Sequence, residues 1–332
     1  MEKYVFSASP HIKSPRTTRG IMIDVCIAML PACIMGCILF GWQALITLVV
    51  ATLAAVLSEI VYRLCAGVKF QTILKEFDFT SVVTGMLVGM NMPAGIAVYV
   101  PILASIFAIV VVKMLFGGTG KNLVNPAIAG RIFAFMSFAM AMTTYPAALI
   151  GSLNGGAITD ASGAVVSGAT PLSALLGSNS STLSNLDLFL GTGVGGVIGE
   201  TCKAALILGG IYLVIRKVLN FRWPIVYVAV TGLVTVALNG FDFNVFLPSI
   251  LSGGLILGAV FMATDFVTTP NTKLGNYIYF VVLGALTAVL RHFTGGEVVS
   301  FAILFMNLLV PIIDKYVYPR PFGFVKAKKE AK

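Results

Sequence analysis

The stretch IMIDVCIAMLPACIMGCILFG at residues 21–41, followed after one tryptophan by QALITLVVATLAAVLSEIVYRLC at 43–65, decides which solvent this chain folds in. Each run matches the roughly 20 mostly apolar residues needed to cross a hydrocarbon core about 30 Å thick. Charge is nearly absent from them: Asp24 in the first, Glu59 and Arg63 in the second. Comparable runs recur at 80–92, 95–116, 128–142, 193–215, 224–240, 244–263, 276–290 and 298–317. With 58% hydrophobic and 11% charged residues over 332 positions and a mean hydropathy of +0.97, the composition excludes a soluble globular domain. Backbone polar groups in lipid must be satisfied within the segment. The fold class is therefore an all-α polytopic membrane protein of about ten transmembrane helices.

A net charge of +9 in a soluble chain would point to nucleic acid, so the placement of the basic residues matters. They cluster at the ends of the apolar runs. With the N-terminus assigned to the cytoplasm, 20 of the 22 lysines and arginines fall on the inner side, Lys113 and Arg131 among them. Arg291 falls in an outer loop and Lys203 within a run. That asymmetry follows the positive-inside rule and places both termini in the cytoplasm. The lipid bilayer is the expected partner, nucleic acid is not, and the basic C-terminal tail faces anionic lipid. The first run follows about 20 polar residues and lacks a small-residue cleavage pattern, so it reads as a span and not as a signal peptide. Cys26, Cys33, Cys37, Cys65 and Cys202 form no CxxC pair and read as small buried hydrophobes.

Two halves echo each other. Phe77-Asp78-Phe79 leads into the third run and Phe241-Asp242-Phe243 into the eighth; Gly117-Gly118 follows the fourth and Gly295-Gly296 the ninth. Five runs per half would invert the second copy, giving two inverted five-helix repeats: 1–142, then an external loop at 143–190, then 191–332. The echo is short, and coincidence is the competing reading. A repeat of this kind predicts binding sites where broken segments meet near a pseudo-two-fold axis. Breaks are indicated at Asn91-Met92-Pro93 and at Asn125-Pro126, since irregular backbone at membrane depth survives only where protein or a bound group satisfies it.

The external loop is rich in small and polar residues, has no lysine or arginine, and contains Ser167-Gly168-Ala169-Thr170-Pro171-Leu172. By composition this is one more turn. Gly117-Gly118-Thr119-Gly120-Lys121-Asn122 suggests a phosphate loop, but Leu115 stands where the first Walker glycine belongs and Asn122 where Ser or Thr belongs, which excludes it. Asn122 and Asn125 would share a face if their segment were helical. Asp265, in Phe261-Met262-Ala263-Thr264-Asp265, is an acid near the membrane boundary with no local cation in sequence, and Thr268 and Thr269 follow it. Gly191-Thr192-Gly193-Val194-Gly195-Gly196 satisfies GxGxxG without a βαβ context and reads as the close-packing start of a span. Glu200 and Lys203 read as a mutually neutralising pair; a part in ion movement is the sharper alternative, and Glu59 has a similar standing. His11 and His292 are isolated.

These motifs, in this order and spacing, resemble the NqrB/RnfD family of membrane subunits across essentially the whole chain. The resemblance gives Ser167, Gly168, Ala169 and Thr170 a role that composition does not. It implies a covalent FMN whose phosphate is esterified to Thr170 by a flavin transferase. Ala164 departs from the usual pattern, in which an aspartate stands at that place; Ser162-Gly163-Ala164-Val165 ends in a residue without a hydroxyl. The resemblance also implies a second, non-covalent flavin (riboflavin or FMN) on the cytoplasmic side near Asn122, Asn125 and Asp265. The short polar stretch before the first run favours the Rnf branch. A chain of that branch relays electrons between ferredoxin and NAD in a Na+- or H+-moving translocase, together with the C, G, E, A and B subunits, and is not active alone. An NqrB-like component of a Na+-translocating NADH:quinone reductase, a urea-transporter-like channel and a cofactor-free assembly component remain as other readings.

Overall fold

A computed structural model describes residues 16–145, 184–192 and 195–318. Among them helices are the regular structure, joined by turns and irregular stretches, with one isolated β-bridge between Pro93 and Val197. The chain is a multi-pass membrane protein. Helices α1 (Thr18–Phe40), α2 (Trp42–Cys65), α13 (Lys273–Thr294) and α14 (Val299–Tyr316) are each long and apolar enough to span a bilayer. The remaining apolar segments are shorter or broken: α4 (Thr80–Met90), α5 (Tyr99–Ile106, continuing π-helical over Phe107–Met114), α6 (Pro126–Ser137), α9 (Lys203–Ile215) and α10 (Arg222–Leu238). Helix α11 (Phe246–Leu251) and α12 (Leu255–Leu257, continuing π-helical over Gly258–Met262) form a pair bent by 67°. Short helices α3 (Phe70–Lys75), α7 (Ala139–Thr143) and α8 (Asn185–Leu190) lie between them.

Local signals set these boundaries. The Thr17 side chain accepts from the Gly20 N–H at 3.2 Å and starts α1. Gly41, at φ 72°, ends α1 and begins α2, so a single left-handed residue turns the chain around. Apolar side chains line the outward faces of both helices: Ile27, Leu30, Ile34 and Ile38 on α1, then Leu53, Leu57 and Val61 on α2. In water that surface would aggregate; in lipid it is the solvated face.

Inside, helices meet through small residues, as expected where lipid removes the usual hydrophobic drive. A methyl group on Gly85 of α4 would stand 2.6 Å from the Cα of Thr52 on α2, and one on Gly130 of α6 would stand 2.8 Å from the Ala104 carbonyl on α5. Gly209 of α9 lies directly against the Ala28 carbonyl of α1.

The expected break at Asn91-Met92-Pro93 is present: α4 stops at Met90 and helix resumes at Tyr99. Within the run expected to span 193–215, the described residues 195–202 are irregular and helix begins at Lys203. Gly191, at φ 83°, caps α8 and does not open a span. Past it, Ile198 N–H donates to the Met92 carbonyl at 3.1 Å and Gly199 N–H to the Met90 carbonyl at 2.7 Å. Broken backbone from one half thus satisfies broken backbone from the other.

Three placements differ from expectation. Lys113 and Arg131, counted among the inner-side charges at the ends of apolar runs, are buried within helices at 3% and 6% exposure. Among the five cysteines only Cys202 is buried; Cys26, Cys33 and Cys37 are half-buried and Cys65 is exposed. The ammonium of Lys203 contacts the backbone carbonyl of Glu200, not its carboxylate. Three residues of separation across a non-helical segment do not place the two side chains on one face.

Candidate functional site

The end of the molecule where α4 and α6 begin and α9 and α12 finish holds a partly open cleft with a cavity volume of about 120 Å3, narrower than the roughly 300–1,000 Å3 of most small-molecule sites. Its walls are apolar, from Met22 and Val25 of α1, Val83 and Leu87 of α4, and Leu213 of α9. Polar groups also line it: Thr80, Lys113, Thr119, Asn122, Asn125 and Asp265. Asn122, Asn125 and Asp265 come from motifs about 140 residues apart in sequence, and the fold brings them to one cavity.

Asn125 is the N-cap of α6. Its Oδ1 accepts from the Ala127 N–H at 3.0 Å, Pro126 occupies the first helical position, and its Nδ2 donates to the Met262 carbonyl at 3.2 Å. Asn122 lies before the helix, so the two asparagines do not share a helical face; its Nδ2 donates to the Val124 carbonyl at 3.0 Å. Asp265 closes a turn after α12 through long bonds, 3.5 Å from the Val267 N–H and 3.3 Å from the Thr268 hydroxyl. Burial raises its carboxyl above the ordinary range, against those two donors.

Asn307 of α14 ties these pieces together. With its Oδ1 accepting from the Asn125 N–H at 3.2 Å, its Nδ2 donates to the Thr268 carbonyl at 3.2 Å and the Ile303 carbonyl at 3.3 Å.

Beside them Lys113 donates to Glu59 Oε2 at 2.8 Å and to the Thr80 hydroxyl. Arg63 reaches the other oxygen of Glu59 at 2.9 Å. The Asp78 carboxylate accepts from Thr80 N–H at 3.1 Å and Thr119 Oγ1 at 2.8 Å. Burial pushes the Asp78 carboxyl up, but the Thr80 hydroxyl, the Lys113 charge and Thr119 together hold it below the usual carboxylate range. Lys113, Thr80, Thr119 and Asn307 were not singled out by sequence as site residues. A lysine or asparagine inside an apolar run was the available signal.

A second buried polar group lies away from the cleft, where the broken segments cross. Arg131 donates to Asn91 Oδ1 at 2.8 Å and pairs with Glu297 at 3.4 Å; Arg291 donates to the carbonyls of Ser249 and Ser252 at 2.9 and 3.2 Å.

A profile of the NQR2, RnfD, RnfE family matches residues 5–323. The chain belongs to this family. It is 38% identical over 98% of its length to the D subunit of the Na(+)-translocating ferredoxin:NAD(+) oxidoreductase complex of Acetobacterium woodii, covering 97% of that protein. It is 36% identical to the D subunit of the proton-translocating ferredoxin:NAD(+) oxidoreductase complex of Clostridium ljungdahlii, with 96% of each chain covered. To the D subunit of the ion-translocating oxidoreductase complex of Stutzerimonas stutzeri it is 34% identical, with 91% of each covered. The NQR2, RnfD, RnfE family match spans both the segments that line the cleft and the loop at 143–190. Ser167, Gly168, Ala169 and Thr170 lie outside the described residues.

Proposed function

We propose that this chain is the D subunit of an Rnf-type complex, in which it relays electrons across the inner membrane during ferredoxin:NAD oxidoreduction coupled to Na+ or H+ movement. The observation that carries this reading is the single cleft lined by Asn122, Asn125 and Asp265 in a chain similar over nearly its whole length to D subunits of such complexes. Its working partners are the C, G, E, A and B subunits, with a flavin transferase for maturation. Both termini are cytoplasmic and the loop containing Thr170 is external.

The cleft's chemistry fits a non-covalent flavin, riboflavin or FMN. Flavin rings are apolar at one end and carry hydrogen-bond donors and acceptors at the other, and this cavity is lined by apolar side chains together with amide and carboxyl groups. When bound, the flavin supplies the one- and two-electron chemistry. The protein's own part is to orient it with Asn122 and Asn125, to accept a donor at Asp265, whose existing bonds are long, and to set the local charge with Lys113. Thr170 carries the second flavin as an FMN phosphoester within Ser167-Gly168-Ala169-Thr170. Two centres divide a hydrocarbon thickness of about 30 Å that one alone would leave uncrossed.

The test is to co-express the chain with a flavin transferase, denature it, and look for protein-bound flavin fluorescence and the FMN mass increment on the peptide containing Thr170. Both are expected, and both should vanish in Thr170→Ala. A native chain that retains no flavin of either kind would overturn the relay reading.

A further inference from the structure

Glu200, in the irregular stretch before α9, and Glu297, just ahead of α14, converge over Gly254 at the bend between α11 and α12. A methyl group at Gly254 would stand 2.6 Å from Glu200 Oε2 and 3.5 Å from Glu297 Oε2. Glu200 is 2% exposed and the Glu297 side chain 6%. Two buried carboxyl groups therefore occupy one site.

Their surroundings are unequal. Glu297 Oε2 accepts from Arg131 at 3.4 Å and from the Gly254 N–H at 3.3 Å. Among the described residues the Glu200 carboxyl accepts only the Val197 N–H, at 3.4 Å, on Oε1. Its Oε2 is buried without a partner among them, and so is Glu297 Oε1. Two further cations face the pair while making their hydrogen bonds to backbone and not to a carboxylate: Lys203 of α9 to the Glu200 carbonyl, and Arg291 of α13 to the carbonyls of Ser249 and Ser252. Tyr145, following α7, is near enough for both carboxyl charges to act on its hydroxyl.

Like charges this close in a buried site cannot both be ionised at low cost, and one carboxyl takes up a proton. Arg131 and the Gly254 amide decide which. We propose that the pair is a proton-binding site, with the proton held on Glu200 and Glu297 kept as the carboxylate. Protonation turns the orphaned oxygen of Glu200 into a donor beside a carboxylate that still has capacity to accept, so one proton relieves both unpartnered groups. The site sits at the crossing of the broken segments. It stands independently of any flavin in the cleft.

The experiment is infrared spectroscopy of the purified full-length chain at neutral pH, in H2O and D2O. The expected result is a protonated-carboxyl band that shifts on deuteration, is lost in Glu200→Gln and weakens in Glu297→Gln, which removes the neighbouring carboxylate that holds the proton on Glu200. Thermal unfolding gives a second readout: Glu200→Gln, which mimics the protonated acid, retains wild-type stability, whereas Glu297→Gln loses it by stranding Arg131. If Glu297→Gln does not fold, the Glu200→Gln arm decides alone. No Glu200-dependent band in the wild-type chain, or a destabilised Glu200→Gln, would overturn the proposal. So would loss of the band on adding sodium at constant pH, which would make the pair a cation site.

Discussion

Lys113 and Glu59 lie 2.8 Å apart with side chains only 3% and 1% exposed, so this ion pair joins α5 to α2 in surroundings where neither partner can fall back on water. Removing one member of a buried pair leaves the other charge uncompensated, at a cost of about 3–5 kcal/mol. Lys113→Met should fall at the low end of that range because Arg63 still reaches Glu59 at 2.9 Å. Adding Glu59→Gln should restore much of the loss. Thermal unfolding of the two single variants and the double in detergent measures the coupling, and strict additivity would contradict it.

Asn125→Ala and Asn122→Ala should separate structure from binding. The first removes an N-cap, worth about 1 kcal/mol, together with the tie to the Met262 carbonyl. The second removes only a local bond to Val124. Both should lower the ratio of non-covalent flavin to protein, while only Asn125→Ala measurably lowers the unfolding temperature.

Asp265 gives a pH signature. Its carboxyl is raised in the folded state by burial, so the folded chain binds that proton more tightly than the unfolded chain. Stability from this group is present at low pH and declines as pH rises from the unfolded value through the folded one. Asp265→Asn should therefore stabilise the flavin-free protein at neutral pH, with the gain shrinking as pH falls through the carboxylate range. The same variant should bind flavin more weakly. Asp78, held below its ordinary range, has the opposite sign: its contribution is lost as pH falls through the folded value.

Gly85 tests the packing of α4 on α2. Gly85→Val introduces bulk where even a methyl would stand 2.6 Å from the Thr52 Cα. Overpacking of about 1–3 kcal/mol is expected. Gly118→Ala, which meets no atom within 4 Å but sits at φ 92°, should cost backbone strain without disturbing helix contacts.

Much of the architecture could be read from hydropathy because lipid imposes one rule on every segment. All ten apolar runs are present as helices or helix pieces, and the break after Met90 was marked by Pro93. Less legible was the stretch 195–202, whose apolar and small residues fit a helix equally well; it is irregular because Met90 and Met92 offer it carbonyls from the other half. Asn122, Asn125 and Asp265 were found by resemblance, and the cleft unites them. Lys113 was misplaced because a lysine near the end of an apolar run looks like a loop charge until Glu59 and Thr80 are seen around it. Glu200 was paired with Lys203 on sequence spacing alone. Its actual neighbour, Glu297, is almost a hundred residues away.

The backbone pairing of Met90 and Met92 with Gly199 and Ile198 also bears on biogenesis. While the N-terminal helices are being inserted, those two carbonyls have no partner within their own segment, and such groups are costly in hydrocarbon. Their donors are translated about a hundred residues later. The early helices must therefore wait in the bilayer, or beside the insertion machinery, as an unfinished structure, and the second half closes it after translation has passed Gly199.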